Sequence, residues 1–176
     1  MDKKEAWDWI KSIGLALIIA VLIKTFLLNT TYVLGSSMYP TLHEKDRLFT
    51  NKVGYYIGEP KRGDIIVLKA PDDPEKDYIK RVVGLAGDKV EITDGKVYVN
   101  GEELKEKYLT EGSYTYTEAT SKWDVPEEYI FVMGDNRNKR ASNDSRSFGS
   151  IPIDTVKGKA FFRYYPFGDR FGSLYK

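Results

Sequence analysis

Hydrophobic positions follow two different rules along this chain. Near the start they form one unbroken block, "IGLALIIAVLI" from Ile13 to Ile23, and from Thr31 onward they alternate with polar residues in short stretches. The block carries no charge. With Trp9 and Ile10 before it and Phe26 to Leu28 after it, it reaches the length of roughly 20 mostly apolar residues that a spanning helix needs. Lys24 lies near one end, where its stem can follow the helix and its ammonium can reach the headgroups. Trp7 and Trp9 suit an interfacial belt. A cleaved leader needs small residues at the cut, and Lys24-Thr25-Phe26-Leu27-Leu28 is a poor site. A helix apolar on every face is also hard to bury in so small a domain. The expectation is a transmembrane helix over 12–30. A cytoplasmic tail over 1–11, with Lys3, Lys4 and Lys11, precedes it, and an extracytoplasmic domain over 31–176 follows.

Beyond Thr31 the alternation has the period of strands. "RLFTNKV", "DIIVLKA", "DYIKRVVGL", "DKVEITDGKVYVNGEEL", "EYIFVMGD" and "KGKAFFRYY" each read as a strand or a strand pair. Asp94-Gly95, between "KVEIT" and "KVYVN", is a strong hairpin signal. Residues 105–124 are polar and weakly patterned, which suggests a surface excursion. The stretch over about 89–127 thus forms a hairpin and excursion inserted between two better-patterned regions. The predicted fold class is mostly β, an antiparallel sheet behind one amino-terminal transmembrane helix.

Composition narrows the function. The 176 residues carry a formal net charge of +1, so no global field draws nucleic acid. There is no cysteine, which removes disulfides, thiol catalysis and thiolate metal sites together. The 13 tyrosines and 8 phenylalanines favour β-structure.

Three clusters are chemically suggestive. Ser36-Ser37-Met38-Tyr39-Pro40-Thr41 follows the apolar block; its plain reading is a turn rich in serine. Lys80 lies in "DYIKRVVGLAGD", where it shares a strand face with Tyr78 and Val82, while Ile79, Arg81 and Val83 take the other. The plain reading is an edge-strand lysine. The sharper one is an amine desolvated by apolar neighbours, whose lowered pKa leaves it able to accept a serine proton. The third, "MGDNRNKRASNDSRSFG" from Met133 to Gly149, reads plainly as a solvated loop. Calcium is disfavoured there, because alternate positions from Asp135 hold Arg137 and Lys139. A Ser-His-Asp triad would need His43, the only histidine, which lies in the polar run "LHEKDR".

In order and combination the clusters are specific. Ser37-Met38-Tyr39-Pro40-Thr41-Leu42, "RGDIIVL" (Arg62 to Leu68), "YIKRVVGLAGD" (Tyr78 to Asp88, with Ala86 where proline is usual) and Gly134-Asp135-Asn136-Arg137 with Ser142, Asp144, Ser145 and Arg146 resemble bacterial type I signal peptidases over essentially the whole chain. The resemblance implies a membrane-anchored endopeptidase that uses no cofactor and no metal. Ser37 would be its nucleophile and Lys80 its general base. Exported preproteins would be its substrates, with membrane lipid the other partner and nucleic acid none. It implies that Ser142 orients the lysine, with Ser145 as the alternative because Asn138 to Ala141 make the intervening loop two residues longer than usual. Arg81, Asp135, Asp144 and Arg146 would brace the site. Gly35 stands where some relatives carry a serine that helps form the oxyanion hole, which leaves that task to the backbone N–H of Ser37. "GYYIG", Gly54 to Gly58, is either a lipid-touching tip or an ordinary aromatic hairpin. Two other functions fit the sequence, a self-cleaving Ser/Lys protease of the repressor type and a non-enzymatic single-pass binding module. The anchor, and the lack of a DNA-binding segment before the catalytic region, disfavour the first.

Overall fold

The computed structural model describes residues 2–22, 28–51, 58–118 and 120–175. Part of the expected span (residues 23–27) and most of the aromatic tip (residues 54–57) lie outside the described residues. An amino-terminal helix covers Lys3–Leu22, 20 residues. No helix among the described residues is long and apolar enough to cross a membrane. The helix starts within the charged segment, at Lys3, so its uninterrupted apolar part is only its second half. Residues 28–30, expected at the end of a transmembrane helix, instead open strand β1, Leu28–Tyr32. Asn29, Thr30 and Thr31 give that segment polar, β-branched character, and it pairs in register with the next strand.

The remaining strands are β2 (Arg47–Asn51), β3 (Ile65–Lys69), β4 (Asp77–Gly84), β5 (Lys89–Thr93), β6 (Lys96–Val99), β7 (Glu102–Glu103), β8 (Lys122–Asp124), β9 (Tyr129–Met133), β10 (Ile151–Pro152), β11 (Val156–Tyr165) and β12 (Gly172–Ser173). The main sheet runs β1-β2-β11-β3-β4-β9-β10 with β12 beside β11, and a smaller sheet runs β7-β6-β5-β8. Every pairing among the described strands is antiparallel. All six strand-like segments of the sequence contain strands. The Asp94-Gly95 signal is a tight turn with φ of 52° and 76°, the positive pair that a two-residue hairpin requires.

Strand β3 shows why a short apolar run marks the middle of the sheet. Its residues Ile65, Ile66, Val67 and Leu68 are all buried because both faces are covered. Ile65 packs with Val33, Met38, Leu42, Leu48 and Ala160. On the opposite face, Ile66 and Leu68 pack with Val82, Ile130, Val132 and Ile151. A third core joins the sheets: Val83, Phe131 and Met133 from the main sheet meet Val90, Ile92, Val97 and Val99 from the smaller one. In β5 and β6 only alternate residues are buried, so the smaller sheet offers one face to the core.

Gly84, at the end of β4, sits where the sheets come together. A Cβ there would lie 2.7 Å from Val90 Cγ2 and 3.0 Å from Phe131 Cβ. Overpacking of this kind typically costs about 1–3 kcal/mol. Gly84→Ala is therefore expected to lower stability by that order, read as an earlier midpoint in denaturant unfolding with an unchanged slope.

Candidate active site

The serine segment is held from both sides. Met38 and Leu42 are buried beneath it, and Val33 N–H donates to the Asp46 carbonyl while Lys45 N–H donates to the Val33 carbonyl, closing the loop. Asp46 is fully buried and accepts from Arg163 (3.2 Å), Arg170 (2.8 Å) and the His43 N–H (2.9 Å). From the other side, Asn136 N–H donates to the Ser37 carbonyl at 2.9 Å and Asn136 Nδ2 to the Ser36 carbonyl at 3.1 Å. Two backbone carbonyls are thus pinned by one asparagine.

Lys80 arrives from β4. It is cross-strand to Ile66 and shares its face with Tyr78 and Val82. That face is apolar, and the lysine is only 3% exposed. Its Nζ donates to Ser37 Oγ at 3.0 Å and to the Ile79 carbonyl at 3.2 Å, and lies 4.8 Å from the centre of the Tyr78 ring. Burial disfavours the ammonium and lowers its pKa to about 8. Asp144 and Asp135 pull the other way and Arg146 adds to the lowering, but burial dominates.

Two buried ion pairs flank the lysine. Arg81, on the opposite face of β4, binds Asp135 through Nε (2.9 Å) and Nη2 (2.7 Å), the bidentate geometry that suits guanidinium and carboxylate. Its Nη1 donates to the Gly63 carbonyl, and its guanidinium stacks 3.8 Å from the Tyr108 ring centre. Asp144 caps the one-turn helix Ser145–Phe148, accepts from Arg146 through Nε (2.9 Å) and Nη2 (2.7 Å), and accepts from the Gly134 N–H at 2.9 Å. Burial alone would raise the Asp144 pKa. The arginine and the Gly134 N–H outweigh it and hold the carboxyl below its ordinary value.

Ser142 and Ser145 take different places. Ser145 is buried and its Oγ accepts from the Val132 N–H at 2.9 Å, inside the sheet. Ser142 Oγ is buried beside Gly134 and makes no hydrogen bond there. It makes no hydrogen bond to Lys80 in this arrangement. A Cβ on Gly134 would collide with both Ser142 Oγ and the Ser37 carbonyl, so the glycine permits the close approach of serine loop, strand end and Ser142. Gly35, with φ of 80°, adopts a conformation that a side chain would strain.

Sequence reasoning missed several contributors. Arg137 is buried; it donates to the Gly134 carbonyl (2.9 Å), to Thr115 Oγ1 (3.0 Å) and to both carboxylate oxygens of Glu106. Tyr108 also donates to Glu106. The polar excursion expected on the surface therefore clamps the Gly134–Arg137 turn. Asn136 and Arg137 were visible within the Gly-Asp-Asn-Arg string, whereas Glu106 and Tyr108 had no motif to mark them. His43 packs its ring 5.1 Å from that of Tyr39. A cavity of about 1420 Å³ is lined by residues such as Pro60, Tyr129 and Ile153 and includes neither Ser37 nor Lys80. A small depression of about 280 Å³ shares Tyr39 and Asn136 with the serine's surroundings.

Chemically, a serine hydroxyl in contact with a desolvated amine is arranged for acyl transfer through serine, the class of chemistry that serine hydrolases perform. The family model "Signal peptidase, peptidase S26" matches residues 6–165. Signal peptidase I of Bacillus licheniformis is 39% identical over 175 residues, covering 95% of this chain and 92% of that protein. Signal peptidase I S of Bacillus subtilis (strain 168) is 40% identical over 176 residues, covering 95% and 93%. A crystal structure of a signal peptidase I from Enterococcus faecalis V583 aligns with 57% of this chain and 96% of its own, at 36% identity and a TM-score of 0.49. The chain belongs to the signal peptidase family, peptidase S26, and is a serine peptidase.

The two serines of the closing loop predict opposite phenotypes. Ser145→Ala strands the buried Val132 N–H, a loss of about 1–3 kcal/mol that thermal or denaturant unfolding will register. Ser142→Ala removes no formed hydrogen bond, so its stability is expected to stay close to that of the parent in the same unfolding measurement.

Proposed function

We propose that this chain is a membrane-anchored endopeptidase that cleaves signal peptides from exported preproteins, with Ser37 as nucleophile and Lys80 as general base. The observation that carries the reading is the 3.0 Å contact between Lys80 Nζ and Ser37 Oγ, with the lysine buried on an apolar face. Unactivated serine is a weak nucleophile and needs an adjacent base. In the reaction, Ser37 Oγ attacks the scissile carbonyl carbon and its proton passes to Lys80. The tetrahedral oxyanion is received by the Ser37 N–H. Collapse breaks the peptide bond, and Lys80 returns the proton to the leaving amine. Lys80, neutral again, takes a proton from water, which attacks the acyl-enzyme carbonyl; as the ester bond breaks and the signal peptide leaves, Lys80 returns that proton to Ser37 Oγ and both groups are restored.

Within this reading Arg81–Asp135 and Asp144–Arg146 hold the two strand ends that present Lys80 and the Gly134 turn, and Ser142, which makes no bond to the amine, lies beside that turn. The amino-terminal helix supports anchoring: Ile10, Ile13, Leu15, Leu17, Ile18, Ile19 and Val21 are exposed around it, and the apolar sequence continues past Leu22. We assign the catalytic domain to the outer side of the cytoplasmic membrane, with the amino terminus inside.

Incubating the detergent-solubilised protein with a preprotein tests the assignment directly. Ser37→Ala is expected to abolish appearance of the shortened product and Ser36→Ala to retain most of it; the reverse pattern would move the nucleophile. The base must be neutral to act, so kcat/KM should rise with pH through about 8 and level off above it. His43→Ala should preserve that profile. Lys80→Arg should be inactive, because a guanidinium stays protonated. Cleavage by Lys80→Arg would remove the lysine from the mechanism.

A further inference from the structure

Outside the serine–lysine contact, one polar cluster joins the strand of the lysine to the loop of Ser142. Asp72 lies in the turn between β3 and β4. Its Oδ2 accepts from the Tyr78 hydroxyl at 2.9 Å and from Asn143 Nδ2 at 2.8 Å. The Tyr78 hydroxyl and the Asn143 amide thus meet on the same carboxylate oxygen. Tyr78 stands two residues before Lys80 on the same face of β4, and its ring is the one lying 4.8 Å from the lysine nitrogen. Asn143 follows Ser142 directly in the chain. A single carboxylate oxygen therefore ties the ring that covers the amine to the loop that carries the neighbouring serine.

We propose that Asp72 is a positioning residue of the peptidase, a clamp that holds Tyr78 over Lys80 and Asn143 beside Ser142 and so fixes the direction in which the amine meets Ser37. The proposal rests on the reading of Lys80 as general base. Two features separate this cluster from an ordinary solvated loop. The bond to Asn143 crosses 71 residues of sequence, so it fixes tertiary geometry rather than a local turn. Both donors also converge on one acceptor oxygen, so loss of that oxygen releases the ring and the loop together.

The clamp carries a charge as well. The charged groups that act on Lys80 are Asp144, Arg146, Asp135 and Asp72. Asp144 is neutralised at contact distance by Arg146, and Asp135 by Arg81. Asp72 binds neutral donors, and the nearby Lys76 pairs with Asp73 instead, at 2.7 Å. Its negative charge favours the ammonium form, so removing it must move the working pH of the base downward. Asp72 is exposed, which makes the shift small and sensitive to salt.

The test uses the full chain in detergent with a signal-peptide substrate, and records kcat, KM and the pH–rate profile. Asp72→Ala is expected to lower kcat roughly tenfold with KM little changed, since the reacting groups are misplaced rather than the substrate contacts. Asp72→Asn keeps an acceptor oxygen and should recover much of kcat, yet its pH midpoint should still fall by a few tenths of a unit, less at high salt. A purely structural role would not move that midpoint. Asn143→Ala should lower kcat, and the Asp72→Ala/Asn143→Ala double variant should be no slower than the worse single, because both break one bridge. Full kcat in Asp72→Ala, an unmoved midpoint in Asp72→Asn, or additive losses in the double variant each overturn the clamp. Ser37→Ala assayed alongside separates the two possible failures. An active Ser37→Ala overturns the nucleophile itself and the clamp with it. An inactive one beside an unaffected Asp72→Ala overturns the clamp alone.

Discussion

A lysine amine kept out of water is the constraint on which the arrangement turns. In solution its pKa is about 10.4, so almost none of it is neutral near pH 7. Burying it against Ile66, Tyr78 and Val82 brings the pKa to about 8, where a useful fraction of the amine is free to take a proton. Burial of this kind is costly unless something holds the side chain in place. Here the Ser37 hydroxyl and the Ile79 carbonyl supply the two nearest polar contacts. The strand does the rest, since alternation along β4 puts Lys80 on one covered face and Arg81 on the other.

Charge is abundant around that amine, yet it does not decide the amine's state. Asp135 and Asp144 would each hold the ammonium strongly if they were alone. Each is instead met by an arginine through two hydrogen bonds, Arg81 on Asp135 and Arg146 on Asp144, so each pair acts on the lysine as a short dipole. Pairing also avoids the penalty of an isolated buried carboxylate. The same pairs tie backbone: Arg81 reaches the Gly63 carbonyl, and Asp144 takes the Gly134 N–H. Neutralisation and positioning thus come from the same contacts, and the solvation of Lys80 is left as the variable that sets its pKa.

This division explains what the sequence disclosed. Strands were legible because period-two alternation survives wherever one face is buried, and β3 was legible as a short unbroken apolar run. The Ser37–Lys80 contact was legible only as a resemblance in motif order, since no local rule brings residues 43 positions apart together. The polar excursion misled, because Glu106, Tyr108 and Thr115, like their partner Arg137, look like surface residues one at a time. They are buried, or partly so, because they satisfy one another, and polarity patterns cannot register a partner that lies elsewhere in the chain. The boundary of the amino-terminal helix was misjudged for a related reason. Leu28 extends the apolar count, but its segment finds a strand partner in β2.

Two glycines near Ser37 show how one residue type answers different demands. Gly134 is needed for space: any Cβ would strike Ser142 Oγ and the Ser37 carbonyl, so the contact between strand end and serine loop exists only without a side chain. Gly35 is needed for conformation: a Cβ there would meet nothing within 4 Å, but φ is 80°, where an L-residue is disfavoured by about 1 kcal/mol or more. The distinction bears on the oxyanion. A hydroxyl at position 35 would have room to act as a donor, yet relief of the backbone strain would turn the peptide units leading into Ser37, and with them the N–H assigned to the oxyanion. In the proposed mechanism a donor gained at position 35 and the Ser37 N–H are therefore coupled through one φ angle.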